Sequence, residues 1–154
     1  MDCSVARTLS VVGERWTMLI LREAFLGRRH FDEFQANTGV ARNILATRLR
    51  ALVRDGVFER TTAADGGARV EYKLTRKGLD LYPVLVALMR FGDRWLADKN
   101  GPPLTLVHRA CGAKTTPTTV CSHCGAPLNP REMTAVPRRS SKRARRSGLS
   151  IVSR

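Results

Sequence analysis

Four residues near the C-terminal end have the types and spacing of a metal site: His108, Cys111, Cys121 and Cys124. They fall into two pairs, each with two residues between its members, and nine residues separate the pairs. Two such pairs facing each other supply the tetrahedral nitrogen and sulfur donors that structural zinc takes, and four protein ligands leave no position open for catalysis. Gly112 and Gly125 follow Cys111 and Cys124, where a tight knuckle turn needs them. One structural Zn2+ is therefore the expected cofactor. His123 competes with His108 as the nitrogen ligand, and a metal-free relic or a set of redox thiols are the other readings of the motif. Cys3 stands apart, at the start of the first helix, where the helix dipole favours an anion; it is a candidate redox thiol or a small packed residue.

A second set of residues suits recognition chemistry. On a helix running from about Arg42 to Arg54, Leu45, Leu49 and Leu52 form one stripe and Asn43, Thr47, Arg50 and Arg54 fall opposite it. Asparagine can hold an adenine edge by two hydrogen bonds, arginine a guanine edge, and threonine can meet a thymine methyl. Asn43, Thr47 and Arg50 are the candidate base readers. Arg28, Arg29, Arg42 and Arg48 suit phosphates, whose contacts position a protein without specifying sequence. Arg69 and Lys73 lie on a following hairpin, within reach of a neighbouring groove or backbone. No acid interrupts residues 42–54.

These residues need elements to hold them. Apolar spacing predicts helices over Ser4 to Val12, Arg15 to Leu26, a brief one around Phe31 and Phe34, and the Arg42 to Arg54 helix. Gly27, Gly39 and Gly56 are placed to end the last three. Val57 to Thr62 and Arg69 to Leu74 alternate like strands, with Asp65-Gly66 as the turn between them. Thr75 is the expected N-cap of a last helix from Arg76 to about Asp98, kinked at Pro83. The fold class expected is mainly α with a small β-hairpin (α+β): a helix-turn-helix with a wing, followed by a long dimerisation helix. Leu81, Leu85, Leu88 and Trp95, with Val84, Met89, Phe91 and Leu96 nearby, make a band too wide for a helix on one small domain, so a second copy is expected to cover it. The domain division expected is 1–98, a linker 99–103 broken by Gly101-Pro102-Pro103, a zinc-ribbon-like segment 104–133, and a basic disordered tail 134–154.

The chain has 154 residues and a formal net charge of +14. The charge is uneven: residues 1–100 carry seventeen Lys and Arg against twelve acids, and residues 101–154 carry ten against one. The last eighteen residues hold seven of the positive charges and no negative one. Such a tail adds non-specific, salt-sensitive affinity for a polyanion. The apolar run 81–89 is far too short to span a bilayer, and no secretory signal opens the chain, so no membrane partner is expected and the expected location is the cytoplasm, on the nucleoid. Thiols stay reduced there, which favours metal or redox roles for the cysteines over disulfides. No phosphate loop, catalytic carboxylate pair or nucleophile elbow is present, and an enzyme is not expected. A non-specific architectural or RNA-binding protein, with its affinity in the tail, is the alternative to a site-specific regulator.

The run Cys3-Ser4-Val5-Ala6-Arg7-Thr8-Leu9, then Gly13-Glu14-Arg15-Trp16-Thr17, Ile20-Leu21-Arg22-Glu23 and His30-Phe31-Asp32-Glu33-Phe34, resembles the opening of HxlR-type winged-helix transcriptional regulators. The resemblance continues through Leu45, Arg48-Leu49, Leu52, Asp55-Gly56, Glu71-Tyr72-Lys73-Leu74-Thr75, Gly78 and Tyr82-Pro83-Val84-Leu85, and covers about residues 3–97. It implies a dimeric bacterial or archaeal regulator of double-stranded DNA, a repressor more readily than an activator, acting on a palindromic operator. It also implies that first and last helices pair between subunits. Some relatives use a cysteine at the place of Cys3 to sense oxidants or electrophiles, and a small effector is a further partner class left open. Two departures stand out: Val40-Ala41-Arg42 where the family often caps the recognition helix with serine, and Gly66-Gly67-Ala68 where its wing often has prolines.

Overall fold

The computed structural model describes residues 3–62 and 69–136 in full and the backbone of 149–150. The chain divides into two compact units, Met1–Pro103 and Leu104–Arg154.

In the first unit four helices come in succession: α1 (Ser4–Val12), α2 (Arg15–Phe25), α3 (Phe31–Thr38) and α4 (Arg42–Arg54). A hairpin of β1 (Phe58–Thr62) and β2 (Val70–Leu74) follows, then a single turn, α5 (Arg76–Leu79), and a longer helix, α6 (Tyr82–Trp95). This is the winged helix-turn-helix expected. Gly39, at φ 68°, ends α3 in the left-handed region and turns the chain into α4, a conformation that side chains with a Cβ rarely adopt. The leucine stripe of α4 is fully buried, with Leu45 and Leu49 at 0% exposure and Leu52 at 1%. It packs with Ile20 and Leu21 of α2, Phe34 of α3, and Val57 and Phe58 at the start of the hairpin. Phe34, Phe58 and Tyr72 form a triangle of rings with centroids 6.2–6.5 Å apart, so the wing is seated on the same core as the helices. The strands pair antiparallel, Phe58 opposite Leu74 through Thr62 opposite Val70. The expected Asp65-Gly66 turn lies outside the described residues.

One expectation is corrected. The last helix is two helices, because Pro83 does not kink an ongoing helix but stands in the first turn of a new one. Proline has no N–H for a carbonyl one turn back and its ring collides with that turn, whereas in a first turn neither matters. Thr75 is an N-cap as expected, but of the short α5: its hydroxyl accepts from the Gly78 N–H (3.1 Å) and donates to the Gly56 carbonyl (2.7 Å).

Among its described residues the second unit has two short antiparallel ladders, β3 (Leu106–His108) with β4 (Ala113–Thr115) and β5 (Thr134–Ala135) with β6 (Leu149–Ser150), and one bridge, Val120 to Pro127. None of its described side chains is buried. Leu149 and Ser150, within the stretch expected to be a disordered tail, pair with Ala135 and Thr134. The arginine-rich stretches 137–148 and 151–154 lie outside the described residues. No helix among those described is long and apolar enough to cross a membrane.

Candidate nucleic-acid interface

Burying one face of α4 fixes what the other presents. Asn43, Thr47, Arg50 and Arg54 are all exposed, opposite the leucines. The Thr47 hydroxyl donates back to the Asn43 carbonyl (2.8 Å) and accepts from the Arg50 guanidinium (3.3 Å), which lays the Arg50 side chain along the face. Asn43 Oδ1 accepts from the Ile44 N–H (2.9 Å). Ala41 caps the helix with no side-chain bond, as its residue type requires.

The cations expected on phosphates divide into two groups. Arg28 and Arg29, in the loop before α3, and Arg69, at the foot of β2, are exposed. Others are engaged. Arg42 donates to Gln35 (2.7 Å), lies 3.3 Å from Asp32 and stacks on Phe31, stapling α4 to α3 across the turn. Lys73 is 2.6 Å from Glu71, whose carboxyl is held below the usual carboxylate range by that Lys73 hydrogen bond first, and by nearby positive charge. Arg48 departs furthest from expectation. Its Nε is 3.2 Å from Glu14, both side chains are about two-thirds covered, and the contact is ionic rather than an aligned hydrogen bond. Glu14 in turn caps α2, accepting from the N–H groups of Trp16 (3.0 Å) and Thr17 (3.3 Å). Arg48 therefore clamps α4 to the start of α2.

The wing is tied to the loop before α3 by two cross-links. The Tyr72 N–H donates to the Arg29 carbonyl (2.8 Å), and His30 Nδ1 donates to the Val70 carbonyl (3.1 Å), since a carbonyl can only accept. The His30 loop is itself fixed by Glu33, which accepts from the N–H groups of Arg29 and His30 at 2.9 Å each. Those two backbone bonds hold the Glu33 carboxyl below its ordinary value. Between α4 and the wing lies a concavity of about 500 Å3 lined by Phe31, Ala46, Arg50, Val53, Arg54, Arg60 and Tyr72. Arg60 falls outside the set expected from the sequence. It stands opposite Tyr72 in the hairpin and lines this concavity together with Arg50 of α4.

The expected dimer residues also divide. Leu88 and Trp95 are 53% and 64% exposed, whereas Leu81 packs on the chain's own core and Leu85 is half-buried. The exposed stripe of α6 is Val84, Leu88, Phe91 and Trp95, and α1 adds Val5 and Leu9. The opposite side of α6 faces α2, with Val86 buried and the Tyr82 ring tilted against Phe25, centroids 5.0 Å apart. Cys3 is exposed beside α1.

In the second unit, His108 Nδ1 lies 3.4 Å from Cys111 Sγ. The Cys121 thiol is more acidic than an ordinary thiol, chiefly because the backbone N–H groups of Cys124 and His123 lie by it, and then through the Cys124 thiol. The members of the first expected pair are therefore side by side, and the two pairs are not brought together. Among the described residues no three His, Cys, Asp or Glu side chains are placed to hold one ion.

The HxlR-like helix-turn-helix family model matches residues 11–100. An uncharacterised helix-turn-helix-type transcriptional regulator of Mycobacterium tuberculosis is 46% identical over 134 residues, 87% of this chain and 85% of the relative. Among solved structures, PA1607, described as a candidate transcription factor, superposes with a TM-score of 0.80 at 40% identity, covering 89% of this chain and 95% of its own. The redox regulator HypR in its reduced form superposes with a TM-score of 0.56 at 28% identity, covering 61% of this chain and 96% of its own.

Proposed function

The chain belongs to the HxlR-like helix-turn-helix family, and from that premise we propose that it is a homodimeric transcriptional regulator that reads a palindromic DNA site. The observation that carries this reading is the acid-free outer face of α4, with Asn43, Thr47 and Arg50 exposed opposite a leucine stripe that holds the helix rigidly. Laid in a major groove, Arg50 would take a guanine edge and Asn43 an adenine edge. With the Thr47 hydroxyl bonded to the helix, its methyl is the group left for a thymine. Arg28, Arg29 and Arg69 take phosphates, and Arg60 extends the cationic surface towards the wing.

Dimerisation accounts for the apolar stripe of α6 and the exposed Val5 and Leu9 of α1, which together are more than an isolated monomer leaves in water. A two-fold dimer reads two half-sites about one helical turn apart, hence an inverted repeat. Repression by occupancy needs no surface beyond the DNA-binding one and is the expected sign.

A footprint on genomic fragments, recovered by mapping bound sites, tests this. One discrete protected inverted repeat is expected, bound by a species of twice the 17.1 kDa chain mass. Arg50→Ala should cost about 1–3 kcal/mol and relax preference at one base pair in each half-site. Protection of nothing discrete, or equal weakening on all sequences, would overturn the reading in favour of an architectural protein.

A further inference from the structure

The second unit poses a physical problem that DNA binding leaves open. It makes two well-formed turns without a buried side chain among its described residues. Those turns are near copies of each other. In the first, the His108 carbonyl accepts from the Gly112 N–H at 2.8 Å and Gly112 sits at φ 69°. In the second, the Cys121 carbonyl accepts from the Gly125 N–H at 2.9 Å and Gly125 sits at φ 73°. Each turn is closed by antiparallel pairing on both sides: His108 opposite Ala113, and Val120 opposite Pro127 with the Leu128 N–H on the Thr119 carbonyl at 3.0 Å. Each presents two soft donors three positions apart.

We propose that the two turns are the halves of one structural zinc site, with His108, Cys111, Cys121 and Cys124 as its four ligands. The donor set, one imidazole and three thiolates, is one that structural zinc takes. His108 is assigned over His123 by the equivalence of the turns: His108 occupies the position in the first turn that Cys121 occupies in the second. His123 falls between the two cysteines of the second. The ten peptide steps from Cys111 to Cys121 reach up to roughly 33–36 Å, so the connecting loop has ample slack to close both pairs on one ion. The ion is then the cross-link that a segment lacking a core needs to hold its turns together.

The full chain, expressed with zinc and dialysed against metal-free reducing buffer, is the material for the test. Elemental analysis should find about one zinc per chain, the stoichiometry of a closed four-ligand site. Cys121→Ser and His108→Ala should lose it, whereas His123→Ala and Cys3→Ser should keep it. Helical circular dichroism should be unchanged in all four variants, because the first unit has its own core, and this separates loss of metal from global unfolding. Cobalt loaded in place of zinc should give the thiolate charge-transfer and intense visible bands of a tetrahedral site. Metal-free wild-type protein, zinc retained by Cys121→Ser, zinc lost from His123→Ala, or a Cys121–Cys124 disulfide in the reduced preparation would each overturn the proposal. None of these outcomes depends on whether an operator is found.

Discussion

Arginine 48 and arginine 50 are two positions apart on one helix and have different work. Arg50 lies on the free face; Arg48 is drawn to Glu14 and ties the recognition helix to the start of α2. Replacing Arg48 by alanine should therefore act on stability, by about 0.2–1 kcal/mol for a partly exposed ion pair. It should leave the salt dependence of DNA binding unchanged. Replacing Arg28 or Arg29 should do the reverse, lowering the slope of log K against log salt by about 0.9 for each phosphate left unneutralised. Urea titration and binding isotherms at several salt concentrations distinguish the two, and a slope lowered by Arg48→Ala would return that residue to the phosphate-binding set. Residue types and a helical wheel are enough to place Asn43, Thr47 and Arg50. They cannot show that Glu14, thirty-four positions earlier, occupies Arg48, because ion pairs between elements depend on tertiary packing. The same holds for Arg60, which shares a concavity with Arg50 only because the wing packs against α4.

At the scale of elements, helix ends and strand pairing are legible wherever local chemistry decides them. Gly39 has to leave the right-handed region, the leucines of α4 have to be buried together, and Thr75 has to cap something. What Thr75 caps is not legible, since periodicity continues across Pro83 while the backbone hydrogen bonds cannot. The short α5 is more than a connector. Its Gly78 is buried against the Val57 carbonyl, and a methyl there would also meet a Leu74 side-chain carbon at 2.9 Å. That carbonyl already accepts from the Thr75 N–H at 3.1 Å and cannot retreat freely. Gly78→Ala should thus destabilise by about 1–3 kcal/mol, seen as a lower urea midpoint with an unchanged slope. An unchanged midpoint would mean that α5 shifts as a body to make room.

For the whole molecule, the net charge of +14 is a poor guide, because half of it belongs to the last eighteen residues. The winged-helix unit owes its reading surface to the order of its residues rather than to their sum. The proposed dimer surface is visible in outline as an excess of apolar residues at the end of the unit. Its membership is not, because Leu81 is spent on the chain's own core while Val84 and Phe91 are left in water. Only a solved packing of α6 on α2 separates those residues, since all of them lie within three turns of one another.

The absence of buried side chains among the described residues of the second unit has a calorimetric consequence. Heat-capacity change on unfolding follows the apolar surface newly wetted, about 12–15 cal/mol/K per residue in an ordinary domain. A segment that shelters almost none has almost none to give. Ending the chain at Pro103 removes fifty-one residues, a third of the total. Scanning calorimetry of the shortened and full chains should nevertheless return nearly equal heat-capacity steps. A difference approaching one third would mean that residues 104–154 shelter apolar surface after all. By the measure of water released, residues 104–136 add little to the roughly hundred residues that precede them.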